Sequence, residues 1–267
     1  MSKSKIRSIK TVLSFNMAFD RYQMGRIDEL IDKEVAANSL EKGVVKITVP
    51  DGVFLTTIEY EKDLVRDFMG VYSEFEMHTR NNVSPYILSK LPGNELYIPF
   101  NLGNLVIGDW QQVVFFTLAK FKHLEIELEF IESDSILGLE SLHTTDELQT
   151  FDITDIIQRT LMNSSGENIT MIVPSPSAAL YTLIPEKFDE FIGFLKTFAP
   201  SDCDYLHKNP EDEKADAYVH LRSAVVGQAL TLKTNKGELF FNEGERLFLT
   251  ELDFHPNRRD IYFEVWK

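Results

Sequence analysis

The sequence GNLVIGDWQQVVFF, residues 103–116, decides the fold because it is typical of a strand, a tight turn and a second strand. A second copy, GELFFNEGERLFLT, occupies residues 237–250 and keeps the apolar positions. The turn Gly108-Asp109-Trp110-Gln111 has become Asn242-Glu243-Gly244-Glu245 in that copy. One copy therefore keeps a special turn, and the other keeps only the strands.

This pair belongs to a longer repeat. Gly103 and Gly237 lie 134 residues apart, and so do Gly93 and Gly227. Upstream, Val49-Pro50 recurs 124 residues later as Val173-Pro174. Residues 76–85 of the first copy correspond to the longer segment 200–219 of the second, which accounts for the change of spacing. Chance matching of apolar runs is unlikely, because the matched order runs through both halves with one large gap. The sequence thus predicts two diverged copies of one domain, residues 1–134 and 135–267.

Composition excludes several classes of function. The chain has 267 residues and a net charge of −15, and neither half is basic, which disfavours a nucleic-acid or anionic-membrane partner. The single cysteine, Cys203, lies in a polar stretch and is a bystander thiol rather than a nucleophile. The sequence contains neither an apolar run of membrane-spanning length nor an N-terminal signal. We therefore expect a cytoplasmic protein.

The apolar periodicity predicts the same element order in each half: a strand, a helix, two strands, a helix and a run of short antiparallel strands. The predicted helices are residues 26–38, 61–75, 155–162 and 185–198, and residues 87–91 and five segments from 217 to 265 are predicted as strands. The expected fold class is α+β, with each domain a β-sandwich of short antiparallel strands carrying two helices.

The second half contains a specific set of motifs. Tyr205-Leu-His207 is followed by ADAYVHLRSAVVG at residues 215–227, and Arg258-Arg259 precedes the last strand. Together with Gly108-Asp109-Trp110-Gln111, these residues resemble the YjbQ family, also called secondary thiamine-phosphate synthases. The resemblance covers nearly all of both halves. It implies a β-sandwich that assembles into trimers, so that three chains would build two stacked pseudo-trimers.

The sequence also departs from the family pattern. The family's H-T-T-A motif is replaced by Ser175-Pro-Ser-Ala178 in the second half and by Asp51-Gly-Val-Phe54 in the first. The asparagine of its N-A-x-A-H motif is Asp216 here, and Tyr86 occupies the first-half position that corresponds to His220. Neither half alone carries a complete family site.

His207, His220 and Asp216 are the candidate catalytic residues, because imidazole exchanges protons near neutral pH and a carboxylate can orient it. His207 and His220 are also candidate ligands of a divalent metal. The candidates for ligand binding are Tyr205, Arg222, Arg258, Arg259, Trp110 and Gln111, since guanidinium groups bind phosphate and indole can cover a ring. The alternatives are a surface histidine at 207, a structural histidine at 220, arginines paired with Glu251, Asp253 or Asp260, and a Trp110 that closes the core.

The sequence is compatible with two functions. The first is a transferase similar to thiamine-phosphate synthase, which joins a phosphorylated thiazole alcohol to a pyrimidine pyrophosphate. Its site would be composite, with Trp110 and Gln111 of one half within roughly 10 Å of His220 of the other. The second is a catalytically inactive duplicate that serves oligomer assembly or binds a small anionic ligand. The longer segment 200–219 carries Tyr205 and His207 and is the expected functional loop.

Overall fold

The computed structural model describes residues 8–133, 138–162, 164–208, 217–255 and 257–267. The described part of the first half contains eight strands: β1 Ser8–Asn16, β2 Met24–Arg26, β3 Lys42–Thr48, β4 Val53–Ile58, β5 Glu95–Asn101, β6 Asn104–Leu105, β7 Gln112–Thr117 and β8 His123–Glu132. Its helices are α1 Asp28–Ala37, α2 Lys62–Glu74 and the short α3 Pro85–Leu88. A π-helical turn, Phe75–Thr79, extends α2.

The described part of the second half repeats this order. Its strands are β9 Gly138–Thr144, β10 Thr150–Asp152, β11 Asn168–Ile172, β12 Ala178–Leu183, β13 Ala229–Asn235, β14 Glu238–Leu239, β15 Arg246–Glu251 and β16 Asn257–Trp266. Its helices are α4 Thr154–Leu161, α5 Phe188–Phe198 and α6 Ala217–Val226, and a 3₁₀ turn, Pro185–Lys187, leads into α5.

Equivalent strands form equivalent sheets in the two halves. The five-stranded sheet of the first half has the order β1-β8-β3-β5-β6, and that of the second half has the same order, β9-β16-β11-β13-β14. The three-stranded sheets also match, as β2-β7-β4 and β10-β15-β12. The pairings within all four sheets are antiparallel. The predicted tandem repeat and the α+β fold class are therefore confirmed.

Hydrogen bonds fix the register of the repeat. Val49 N–H donates to Asn94 and Val173 N–H donates to Gln228, as the spacings of 124 and 134 residues require. Leu55 N–H donates to Gly93 and Leu180 N–H donates to Gly227, which places β12 125 residues after β4. One extra residue therefore lies between residue 173 and β12, in the segment that replaces the H-T-T-A motif.

Two predicted strands are helices. Residues 87–91 overlap α3, which begins because the Ser84 side chain accepts from Ile87 N–H and Pro85 occupies the first turn. Residues 217–226 form α6, in which all ten residues are buried. Burial on every side removes the polar face that marks a helix in sequence, so its apolar run was indistinguishable from a buried strand. Each half, within the described residues, consequently has three α-helices rather than the predicted two.

The two halves share a hydrophobic core. Phe54 and Ile58 of β4 point into it, and so do Tyr181 and Leu183 of β12. Leu55 and Leu180, adjacent to Phe54 and Tyr181, belong instead to two other hydrophobic clusters, one centred on each half. Both strands are thus covered on both faces, which explains why every residue of β4 and β12 is buried.

Helices α2, α5 and α6 fill the shared core between the two small sheets. Phe68 of α2 lies 6.4 Å, ring centroid to ring centroid, from Phe198 of α5, and Phe75 lies 5.7 Å from Phe194. α6 contacts both β4 and β12. Among the described residues, none of the helices is long and apolar enough to cross a membrane.

Candidate functional site at the boundary between the halves

The two motif histidines lie together. Their rings meet edge to face with centroids 5.5 Å apart, although His207 lies in the loop after α5 and His220 on α6. The first half holds the loop in place: the Asp67 carboxylate on α2 accepts hydrogen bonds from Leu206 N–H at 2.9 Å and His207 N–H at 2.8 Å. The proximity expected of His207 and His220 is therefore present, and the loop of residues 200–208 is anchored across the boundary.

Two glutamates of the first half face the histidine rings. The Nδ1 atom of His207 lies 3.3 Å from Glu61 Oε2, and the Nδ1 atom of His220 lies 3.8 Å from Glu59 Oε2. Glu61 also caps α2 by accepting from the N–H groups of Asp63 and Leu64. Partial burial raises the pKa of the Glu61 carboxyl, but the hydrogen bonds from Leu64, Asp63 and His207 outweigh it and lower the pKa. We call these four residues, His207, His220, Glu59 and Glu61, the histidine cluster; such pairs of imidazole and carboxylate can transfer protons.

The third predicted catalytic residue, Asp216, lies outside the described residues. Within the described ranges, the structure contains no group of three or more His, Cys, Asp or Glu side chains arranged to hold a metal ion. Two imidazoles alone are fewer protein ligands than zinc sites use.

The turn of the first half binds the second half. Gln111, which is 1 % exposed, accepts from Gly108 N–H at 2.8 Å and donates from Nε2 to the carbonyls of Val173 and Ser175 at 3.2 and 3.0 Å. A Cβ at Gly108 would lie 2.7 Å from the Pro174 carbonyl oxygen, so the close approach requires glycine. The turn is a contact with the segment that replaces the H-T-T-A motif.

Trp110 does not close the core, as the alternative interpretation expected: 67 % of its surface is exposed. The turn and the histidine cluster nevertheless share one end of the β2-β7-β4 sheet. Gln112, the first residue of β7, pairs with Ile58, the last residue of β4, and its side chain accepts from Tyr60 N–H at 2.6 Å. Glu59 and Glu61 come just after β4, so the turn and the histidine cluster lie at the same end of this sheet.

Arg259 is committed to a buried network. Its Nε and Nη2 atoms donate to the two carboxylate oxygens of Glu251 at 2.6 and 2.7 Å. Nη1 donates to Ser175 Oγ at 2.7 Å and Nη2 to Ser177 Oγ at 2.8 Å. Glu251 is fully buried, and Ser175 occupies the position of the first motif histidine. The Arg259 guanidinium therefore binds the serine that stands in place of the first motif histidine.

The other two arginines also have carboxylate partners. Arg222 is 1 % exposed and donates to Glu147 Oε1 and to the Ala199 carbonyl, both at 2.9 Å. It follows His220 by two positions on α6, so the two side chains leave different faces of the helix. Arg258 is exposed and donates to Asp260 at 2.8 Å. The pairing predicted as the alternative for Arg259 and Arg258 is thus observed with Glu251 and Asp260.

Tyr205 is a structural part of its loop. Its side chain is buried, and its hydroxyl donates to the Pro200 carbonyl at 2.8 Å. Burial raises the pKa of that hydroxyl. The ring supports the segment that presents His207.

The first half carries a counterpart of the histidine cluster. Tyr86 occupies the position of His220, and its hydroxyl accepts from Ile184 N–H at 2.7 Å. Ile184 directly follows β12, as its counterpart Glu59 directly follows β4. His220 therefore approaches the first half where Tyr86 approaches the second. Reciprocal contacts of this kind relate the two halves by a pseudo-twofold axis.

Buried charges surround Tyr86. Glu245, the counterpart of Gln111, accepts from Tyr86 at 3.1 Å and binds Lys90. Burial raises the pKa of Glu245, but the hydrogen bond and the charge of Lys90, together with the hydrogen bonds of Tyr86 and Asn242, outweigh it and lower the pKa. Burial raises the pKa of Tyr86 to about 12. Sequence reasoning missed Glu59, Glu61, Lys90 and Glu245; the replacement of the glutamine of the turn by Glu245 was the available signal.

Comparison with known proteins identifies one family across the chain. The family model described as UPF0047 protein YjbQ-like matches twice, at residues 14–132 and 140–267. A UPF0047 protein of Archaeoglobus fulgidus is 25 % identical over 123 residues, which cover 45 % of this chain and 94 % of that protein.

Solved structures include similar chains of about half this length. A YbjQ-like protein of unknown function from Sulfolobus solfataricus is 18 % identical, covering 48 % of this chain and 100 % of its own, with a TM-score of 0.42. An uncharacterised YjbQ/UPF0047 family protein from Clostridium acetobutylicum is 20 % identical, covering 48 % and 98 %, with a TM-score of 0.43.

Proposed function

Because this chain belongs to the UPF0047 YjbQ-like family and carries two copies of its domain, we propose that it is a non-catalytic tandem member whose motif residues join its two halves. One observation carries the proposal. Gln111, the glutamine of the family's turn, donates to the carbonyl of Ser175, the first residue of the segment that replaces the H-T-T-A motif, and to the carbonyl of Val173 just before it.

The arginines support the same conclusion. A transferase acting on phosphorylated substrates needs cations that can reach the phosphate groups. Arg259 and Arg222 are buried against Glu251 and Glu147, and Arg258 is paired with Asp260. Removing a buried guanidinium from its carboxylate leaves an uncompensated charge, so the pairs of Arg259 and Arg222 do not open readily for a substrate, whereas the pair of Arg258 is exposed. The same pairing argues against the small anionic ligand of the second sequence hypothesis.

The direct test supplies the substrates of the family activity. Purified protein is incubated with Mg²⁺, a phosphorylated thiazole alcohol and a pyrimidine pyrophosphate, and thiamine phosphate is quantified by chromatography. We expect no product above the protein-free control. Product that forms with the intact chain and disappears in His220→Ala, but not in His255→Ala, would overturn the proposal. His255 is the matched control because its ring is exposed and pairs with Asp253.

The histidine cluster supports a second candidate, a composite acid–base or cation site between the halves. The observation that favours it is the pair of rings 5.5 Å apart facing Glu59 and Glu61. Metal content, measured by mass spectrometry on protein purified without chelators, separates the candidates. One divalent ion per chain that is lost in His220→Ala and kept in His255→Ala would favour this site; a metal-free protein favours the first proposal.

Assembly is the positive role that we propose for the tandem chain. Three chains would contribute six half-units, and a threefold axis combined with the pseudo-twofold inside each chain gives two stacked layers. Sedimentation equilibrium should then give three times the chain mass of 30.7 kDa. A monomeric mass at micromolar concentration would contradict this arrangement.

A further inference from the structure

A cleft lies on the pseudo-twofold axis. It has a volume of about 320 Å³, which is at the lower end for small-molecule sites. Equivalent segments of the two halves line it: residues 55–57 and 180–182 from the middle of β4 and β12, and residues 89–93, 95–97 and 226–231 around the starts of β5 and β13. Since each half supplies one wall, the complete cleft is created by the joining of two copies.

The walls combine apolar and buried polar groups. Leu55 and Leu180, which are counterparts, line the cleft together with Leu91, Leu96 and Leu230. Thr57 and Gln228, each 1 % exposed, also line it, and the Thr57 hydroxyl donates to the Gln228 side-chain carbonyl. The cleft thus offers an apolar body with a polar edge, which is the usual make-up of a site for a small organic molecule.

Lys90 gives the cleft its asymmetry, because its counterpart in the second half is Ala224. Its ammonium donates to Thr182 Oγ1 at 3.3 Å and to Glu245, and only 9 % of its side chain is exposed. An ammonium has three N–H donors, and these two bonds use two of them. The ammonium also lies 4.8 Å from the centroid of the Tyr86 ring, so a bound acceptor would compete with that ring for the third donor.

The charges at the cleft are internally compensated. Glu245, which does not itself line the cleft, offsets Lys90, and the acidic lining residue Glu95 is paired with Lys46 at 2.6 Å. A bound anion would approach both carboxylates, and a bound cation would approach Lys90. Neutral molecules avoid both penalties.

We propose that this cleft binds a small uncharged compound with an apolar body and a carbonyl group that accepts from Lys90. The proposal concerns a different surface from the histidine cluster and does not depend on the family chemistry.

The experiment compares three molecules of nearly the same shape: benzamide, benzoate and benzamidine, which are neutral, anionic and cationic. Binding to the full chain is followed by chemical-shift changes in two-dimensional NMR spectra. We expect benzamide to bind with a dissociation constant on the order of 1 mM, as suits so small a ligand, and to shift residues that line the cleft. We expect binding of the two charged analogues to be weaker by about tenfold or more.

A blocking variant tests the location. Gly93 lines the cleft, a Cβ there meets no atom within 4 Å, and the conformation requires no glycine, so Gly93→Leu should fill the opening without strain. Gly193→Leu is the matched control, because that glycine on α5 is exposed and its Cβ also meets nothing. Loss of benzamide binding in Gly93→Leu, with binding kept in Gly193→Leu and both far-UV spectra unchanged, supports the site.

Three results would overturn the proposal: binding that survives Gly93→Leu, equal affinity for the charged analogues, or the absence of benzamide binding up to its solubility limit.

Discussion

The side-chain amide of Gln111 donates a hydrogen bond of 3.0 Å to the main-chain carbonyl of Ser175, across the boundary between the two halves. Each residue stands at a position where the family carries a motif, one in the first half and one in the second. A motif residue that remains in the first half therefore contacts the segment that replaces a motif in the second half. The contact is buried, so its hydrogen bonds contribute to holding the halves together.

Substituting Gln111→Ala should lower the free energy of unfolding by about 1–3 kcal/mol, because the Ser175 carbonyl loses the Gln111 donor and the Val173 carbonyl keeps only the bond from Ser175 N–H. Urea unfolding measures the change. The neighbouring Trp110→Ala is the control and should stay within about 0.5 kcal/mol, since the indole is largely exposed. Equal effects of the two substitutions would show that the Gln111 amide does not stabilise the contact between the halves.

Substitutions of the two adjacent arginines should change the free energy of unfolding by very different amounts. Arg259→Met strands the buried Glu251 carboxylate and should destabilise the protein by about 3–5 kcal/mol. Arg258→Met breaks exposed contacts with Asp260 and Ser141 and should cost about 1 kcal/mol or less. Both are read from urea midpoints. The double variant Arg259→Met with Glu251→Leu should recover much of the loss; if it does not, the cost lies in the hydrogen bonds to Ser175 and Ser177.

Acid should weaken the histidine cluster through Glu61. Its pKa is lowered in the folded chain, so its contribution to stability is present above its unfolded pKa of about 4.3 and is lost as the pH falls through the folded value. We expect Glu61→Gln to flatten the decline in stability below about pH 4.5, as measured by urea unfolding at closely spaced pH values. Glu74→Gln, an exposed change at the end of the same helix, should retain the decline seen in the unmodified chain.

The sequence predicted the repeat, the fold class and the proximity of His207 to His220, because these depend on apolar periodicity and on motif residues that remain. The sequence did not predict α6 as a helix, because a fully buried helix has no polar face and so lacks the helical pattern of polar and apolar residues. It also nominated Arg222 without its partner. Glu147 lies 75 residues before Arg222 in the sequence, and only the fold decides that this carboxylate meets this guanidinium.

The glutamates of the histidine cluster show the same limit. Glu59 and Glu61 belong to no motif and lie some 150 residues before the rings that they face. Their position opposite the rings follows from the pseudo-twofold packing of one half on the other. A repeat in the sequence indicates two similar domains but does not give their relative orientation.

The last prediction concerns the independence of the halves. Phe68 and Phe75 of the first half pack on Phe198 and Phe194 of the second, and α6 is buried between β4 and β12. A half expressed alone would expose this apolar face, and exposed apolar faces of that kind lead to association. We expect residues 1–134 and 135–267, expressed separately, to aggregate or to unfold without cooperativity, and to give a folded complex when co-expressed.

Size-exclusion chromatography and thermal unfolding followed by circular dichroism check this expectation. The intact chain carrying Gly193→Leu, exposed on α5, serves as a folded reference. A monomeric second half that unfolds cooperatively on its own would contradict it. That result would mean that the cores of the separate halves, such as the cluster around Ile157, Met171 and Leu249, suffice for folding, and that the shared core serves only to join two stable domains.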